Sequence, residues 1–404
     1  MILTALKNKF HIGQRYTMQE AMALYTTNAL SNLAISLIGI YLPIYIYELS
    51  LDYLVLNSDP ILNALIWNCL FYLVVSITTV LTILLFISTI FSKLHLKSSL
   101  FLGIIFRAIS IGFLQLATTN PYFLIASAVF WGFRITFYWI PYHIFFVRRA
   151  DDGDHKYGAE ASKRNFFSGI ATALGPLLGG LMISNLGFEP LFIITIILML
   201  VSSLPTLLYV RESTHGKHKA KDVFSKYLLN KKYMPTNLAF FGRVTSAVIF
   251  AIFWGILLFL KLDNFVEIGI LSTTAGIFAT VLLLVVGKII DSEGKKTIHA
   301  VSVFINSALH ISRIFLISPL SFYVNSISDQ INASAYGTAF IAATYEKTSP
   351  EKASNFMVYR QLTLHLGRIV LFPILILLIV LTGSWWWVFI IGAIGSAMTY
   401  LINY

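Results

Sequence analysis

Six arginines lie inside long apolar stretches of this chain: Arg107, Arg134, Arg243, Arg313, Arg360 and Arg368. Against them stands one clearly internal acid, Asp329. A guanidinium presents a planar fork of N–H donors that meets a carboxylate or phosphate at two points. Ionisable groups in an apolar interior are costly, so they face a bundle interior or a water-filled cavity. The excess of cations therefore favours an anionic ligand, with Arg134 receiving its charged group. Asp329 either balances that charge or carries a proton, and the competing reading is a purely structural Arg–Asp pair. Arg243 and Arg360, close to the ends of their stretches, can instead snorkel or bond to carbonyls.

Two more polar sets keep helical spacing at i, i+4 and i+7, which puts each on one helix face. They are Asn306, His310 and Arg313, and Gln361, His365 and Arg368. The two are expected to hydrogen-bond to each other as a coupling or structural network, and imidazoles can sense protons near neutral pH. Other chemistries lack their parts. Cys69 is the single cysteine, His143 has no second ligand at metal spacing, and the acidic loop Asp151–His155 lacks the closing glutamate of a calcium loop. No phosphate-binding G-x-x-x-x-G-K-[ST] loop and no nucleophile constellation occurs. No metal, no cofactor and no enzymatic activity are expected.

The elements that must position these residues are membrane helices. Of 404 residues, 57% are hydrophobic and 12% charged, with mean hydropathy +0.78, whereas soluble chains carry about 25% charged residues. A span needs about 20 apolar residues. Twelve such runs occur, near 21–48, 61–91, 98–118, 121–148, 164–185, 188–210, 236–260, 265–289, 296–316, 319–345, 354–382 and 384–403. Asp59-Pro60, Asn120-Pro121 and Ser318-Pro319 read as helix starts. Basic residues fall on alternate loops: 22 of the 29 Lys and Arg lie on one side, and only Lys261 on the other. Both termini then face the cytoplasm. The same placement accounts for the net charge of +11 without nucleic acid as a partner. The first residues, Met1 to Tyr16, show no cleavable signal.

One loop carries a motif. Gly287, Asp291, Gly294, Lys295 and Lys296 form Gly-x-x-x-Asp-x-x-Gly-Lys-Lys between runs eight and nine, a tight cytoplasmic turn in which Gly294 can take a positive φ. A degenerate copy lies 199 positions earlier, with Ser88, Ser92 and His95 in the equivalent places. Asn165-Phe166 and Asn355-Phe356 start runs five and eleven alike. Run five also contains Gly175-Pro176-Leu-Leu-Gly179-Gly180. The loop motif, the twelve runs and the long basic connection from Arg211 to Lys232 resemble the major facilitator superfamily. That resemblance implies an all-α polytopic membrane protein, with twelve transmembrane helices in two pseudo-symmetric six-helix bundles. The bundles would be residues 1–210 and 236–404, joined by a cytoplasmic basic linker, 211–235.

In that family helices one, four, seven and ten line the central cavity. Carried over, this points to Asn28 and Asn32 on run one, together with Ser36. It also points to Trp131, Arg134 and Tyr138 on run four, and to Asn325, Asp329, Gln330, Asn332 and Tyr336 on run ten. The five motif residues would gate the cytoplasmic side, Asp291 sealing it against the start of run five. The expected protein is a monomeric secondary transporter of a small organic anion or amphiphile, coupled to an ion gradient. It would sit in contact with membrane lipids as a multi-pass protein of the cell membrane, of the prokaryotic inner-membrane type. A lipid-translocating relative is the nearest alternative; a membrane-embedded enzyme or a non-transporting scaffold is further off.

Overall fold

In hydrocarbon a backbone must satisfy its own polar groups, and an uninterrupted apolar run can do so only as a helix. The computed structural model describes residues 18–53, 55–86, 93–149, 169, 172–212, 223–348 and 352–402, with the side chains of Met18, Asp52, Tyr53, Phe146, Arg148, Arg149, 283–293 and Lys295 outside that description. The expectations for Met1–Tyr16, the acidic loop Asp151–His155, the Asn165–Phe166 pair, most of the basic linker and the Asp291 side chain fall outside the described residues.

All regular structure among the described residues is helical. The first run becomes α1 (Met18–Gly39) and α2 (Leu42–Tyr53), broken at Ile40–Tyr41. Then come α3 (Pro60–Phe86), α4 (Leu96–Leu116), α5 (Phe123–Arg134) and, after a π-helical turn at Ile135–Trp139, α6 (Ile140–Arg149). The next apolar helices are α7 (Gly175–Leu186), α8 (Phe188–Ser202) and α9 (Leu204–Tyr209). The chain resumes with α10 (Met234–Val248), a π-helical stretch at Ile249–Trp254, α11 (Gly255–Leu262), α12 (Phe265–Glu293) and α13 (Lys295–Ser312). It closes with α14 (Pro319–Tyr345), α15 (Ala353–Thr382) and α16 (Trp387–Met398). Nine helical stretches among the described residues are long and apolar enough to cross a membrane. Two of the other predicted runs appear as shorter apolar helices, Gly175–Leu186 and Trp387–Leu401. The remaining one, α14, has 27 residues but a polar face.

Local chemistry sets several boundaries. Asp59 Oδ1 accepts from the Leu62 amide at 3.0 Å just before α3, and Ser318 caps α14 by accepting from Ser321 N. Asn120 Oδ1 accepts from Tyr122 N, so the predicted start at Pro121 becomes a turn and α5 begins at Phe123. Between α12 and α13 the charged motif shrinks to one hinge residue. Gly294 sits at φ +82°, a conformation that a side chain would disfavour, and the helices run up to it on both sides. His95, its first-half counterpart, caps α4 at φ −76° in extended backbone. The two hinges therefore differ in backbone as well as in sequence.

The packing pairs repeat along the chain. α8 packs on α1 and α4 as α16 packs on α10 and α13, and α4–α5 contact is matched by α13–α14. Across the two sets, α3 meets α15 and α7 meets α12. The buried apolar side chains form two clusters stacked along the helix axes, and each draws on both sides of the linker.

A candidate anion-binding cavity

A cavity of about 600 Å³ opens between the two helix sets, a size that suits a small organic molecule. Its lining includes Arg107 from α4, Arg134 at the end of α5, and Arg360 and Arg368 from α15. Among the described residues of its lining there is neither Asp nor Glu. Asn28, Asn32, Gln361 and His365 add neutral polar groups, and Tyr72, Trp131, Trp139 and Phe372 supply aromatic walls.

Three of these arginines are held by side chains around them. Arg107 is 1% exposed and its guanidinium carbon stands over the Trp131 ring, 3.6 Å from its centroid, a cation–π contact that is strongest when desolvated. Its Nη1 reaches Ser110 Oγ at 3.5 Å, and Ser110 in turn donates to the Ser127 carbonyl at 2.9 Å. Arg134 is 4% exposed and stands over Tyr138 and Trp139, 5.0 and 5.5 Å from their centroids. Those rings belong to the π-helical turn that begins one residue later. A widened turn of this kind frees a carbonyl and rotates the residues after it; Ser99 Oγ donates to the Phe137 carbonyl at 2.9 Å across that turn. Arg368 Nη1 lies 3.3 Å from His365 Nε2. Several donors remain unmade among the described residues: Nε and Nη2 of Arg134, Nε of Arg107 and Nε of Arg368. Buried guanidinium donors of this kind call for an acceptor.

The two helix sets touch at both ends of the cavity. At one end the Tyr41 hydroxyl lies 2.6 Å from the Pro176 carbonyl and 3.0 Å from the Phe265 carbonyl. A Cβ on Gly180 would collide with Phe265 O and the Tyr41 hydroxyl, so only glycine permits this approach. At the other end His143 Nδ1 and the Tyr345 hydroxyl are 2.6 Å apart, joining α6 to α14. Removing one neutral hydrogen bond shifts an equilibrium by about 1 kcal/mol, or roughly fivefold. Tyr345→Phe is therefore expected to raise the population open at that end about fivefold. Distances between spin labels on α6 and α14 would measure it, and an unchanged distribution would remove this contact as a latch.

The structure redistributes the predicted site. Asn28, Asn32 and Arg134 line the cavity, and Tyr138 lies behind Arg134 with its hydroxyl 3.4 Å from Asn28 Oδ1. The run-ten residues do not join them. Asp329 pairs with Arg313 Nη2 at 2.6 Å, and both are buried. Asn325 Oδ1 accepts from Arg313 Nε at 3.2 Å, and Asn332 donates to the Ser302 carbonyl at 3.0 Å. Tyr336 stacks on His299 and receives Arg243 over its ring at 4.6 Å. This face of α14 is turned toward α13, so the expected convergence of Arg134 and Asp329 gives way to a pair inside the second helix set. Gln330, on the other face, lines a neighbouring crevice with Ser36.

The two triplets also part company. Asn306 donates to Ser246 and Ser396 at 2.9 and 3.0 Å, and His310 Nε2 lies 2.9 Å from Ser246 Oγ. Arg313 Nη1 meets His310 Nδ1 at 3.0 Å. Arginine only donates, so His310 must carry its proton on Nε2 and give it to Ser246. Gln361, His365 and Arg368 face the cavity instead of that network. Arg360, read as able to snorkel, lines the cavity as well. Trp131 lines the cavity as expected, whereas Arg107 and Arg368 stood outside the expected binding set; the signal that could have placed them was the imbalance of cations over acids. Of the loop motif, Gly294 and Lys296 are exposed at the hinge.

Residues 24–265, more than half of the chain, match the Major Facilitator Superfamily. The chain belongs to that family, and is accordingly a membrane transporter rather than an enzyme. Solved structures share its fold at low identity. The human organic anion transporter MFSD10 (TETRAN) is 13% identical with a TM-score of 0.71, over 96% of this chain and 100% of that one. The fucose:proton symporter FucP of E. coli is 13% identical with a TM-score of 0.66, over 96% and 98%. A POT family transporter in complex with a thioalcohol-conjugated peptide is 11% identical with a TM-score of 0.70, over 93% and 94%. No curated protein matches this sequence.

Proposed function

We propose that this protein is a secondary transporter that moves a small organic anion or amphiphile across the cell membrane by alternating access. The observation that carries this reading is the interfacial cavity with four arginines and no acid among its described lining residues. The proposed architecture is twelve spans with both termini in the cytoplasm, residues 1–210 and 236–404 moving against each other on the 211–235 linker. Tyr41 and Gly180 then seal the outer end and His143 and Tyr345 the inner end, with Gly294 as a backbone hinge on the cytoplasmic side. The fold neighbour that transports organic anions is consistent with this substrate class. Ion-gradient coupling falls to the buried Asp329–Arg313 pair, where an acid sits inside the protein. The protein works as a monomer, with membrane lipids around it and no cofactor.

An amphiphile is favoured by a specific feature. A second crevice of about 520 Å³ shares Gly39 and Ala251 with the arginine cavity and has no charged side chain among its described lining, which mixes Ala, Gly, Phe250 and Trp254 with Ser, Thr and Gln330. It gives an apolar tail a place beside a bound anionic head, which also suits a lysolipid. Uptake of labelled anions into liposomes containing the purified protein tests the reading, using carboxylates of rising chain length and matched uncharged amides. The expected result is uptake of the anions only, with longer tails competing better. Equal uptake of amides and carboxylates would overturn the anion assignment; loss of competition with length would remove the amphiphile.

A further inference from the structure

The arginines that line the cavity come from both helix sets. Arg107 and Arg134 stand on α4 and α5, before the linker, whereas Arg360 and Arg368 stand on α15, after it. The unmade donors are divided in the same way, on Arg107 and Arg134 from one side and on Arg368 from the other. The acid nearest in role, Asp329, is committed to Arg313. A single carboxylate on one helix set would leave the guanidinium donors of the other unmet, and like charges on both sets would resist closure.

We propose that the transported anion carries at least two separate negative groups, one engaged by Arg107 and Arg134 and the other by Arg368, so that the substrate bridges the two halves. This rests on the anion reading above and names its valence. The apolar body between the groups lies against Trp131, Tyr72 and Phe372, which line the same cavity. Tyr72 and Phe372 stack across the interface with centroids 6.4 Å apart. Bridging gives the occupant different contacts in closed and open forms: both walls reach it only when the halves are together. A ligand shifts such an equilibrium by its difference in affinity for the two forms, so a dianion favours closure more strongly than a monoanion does.

The test uses anions whose charge does not change with pH: benzenesulfonate against benzene-1,3-disulfonate, and butanesulfonate against butane-1,4-disulfonate. Each competes with the uptake of a labelled anion by the purified protein in liposomes, and each is scored for thermal stabilisation. The wild-type protein is expected to prefer the disulfonates at least tenfold. Arg368→Gln is expected to narrow that preference to about twofold by weakening the disulfonates far more than the monosulfonates, and Arg107→Gln to do the same from the other helix set. Arg368→Lys, which keeps the charge, restores most of the preference and controls for folding. Equal affinity for mono- and disulfonates in the wild type would overturn the bridging proposal and leave the anion reading intact. Variants that weaken both classes equally would also overturn it. If no sulfonate of either class competes or stabilises, the anion reading fails and the proposal with it.

Discussion

Replacing Arg134 with methionine is expected to reduce anion transport about a hundredfold and to leave the protein at least as stable as before. The side chain is 4% exposed, and its Nε and Nη2 lack partners among the described residues. Each hydrogen bond to a charged group contributes about 1.5–3 kcal/mol, so losing a two-point contact with the substrate costs roughly 3 kcal/mol, which is two decades in rate or affinity. Stability moves the other way. A buried charge without a counter-ion is a burden on the empty protein, several kcal/mol after relaxation, and methionine fills a similar volume without it. Arg134→Lys keeps the charge but not the fork, so an intermediate loss of about tenfold is expected. Flux and thermal unfolding measured on one preparation separate the two effects. Retained flux, or a drop of several degrees in the unfolding temperature, would make Arg134 structural.

Asp329→Ala is expected to do the opposite, destabilising the fold by about 3–5 kcal/mol, the range for removing one partner of a buried ion pair. Arg313 has no exposed surface; it stacks near Trp254 and Phe250 at 4.9 and 5.2 Å and is tied to His310, Asn325 and Asp329. Without the carboxylate its charge has nowhere to go. The double variant Arg313→Met with Asp329→Leu removes both charges and is expected to recover most of the loss. It also tests coupling: the refolded double variant should exchange anion across the membrane but fail to accumulate it against an imposed proton gradient. Full accumulation by the double variant would take coupling away from this pair. A single Asp329→Ala protein as stable as wild type would show that Arg313 is satisfied without it.

These two substitutions look alike in the sequence, since each removes one charge from an apolar run. They differ because α14 turns Asp329 toward α13, whereas Arg134 faces the space between the two helix sets. Spacing along a helix tells which residues share a face, and it grouped Asn306 with His310 and Arg313, and Gln361 with His365 and Arg368, correctly. It does not tell what each face meets. That azimuth depends on contacts between residues far apart in the chain, such as α3 against α15 and α7 against α12. The π-helical turns at Ile135–Trp139 and Ile249–Trp254 add a further rotation that a 3.6-residue period does not include.

The sequence by itself determined the helical membrane architecture, because backbone satisfaction in lipid leaves an apolar run no other form. It also determined the hinge at Gly294, where the backbone demanded glycine, and the surplus of buried cations that calls for an anion. Only the tertiary structure decided which cations are free to answer that call. Arg313 is neutralised by Asp329 sixteen residues further on, across a helix contact, while Arg107, Arg134 and Arg368 converge from three helices on one cavity with no acid among its described lining residues. Charge compensation is a property of which faces touch, and that is fixed by packing over the whole chain.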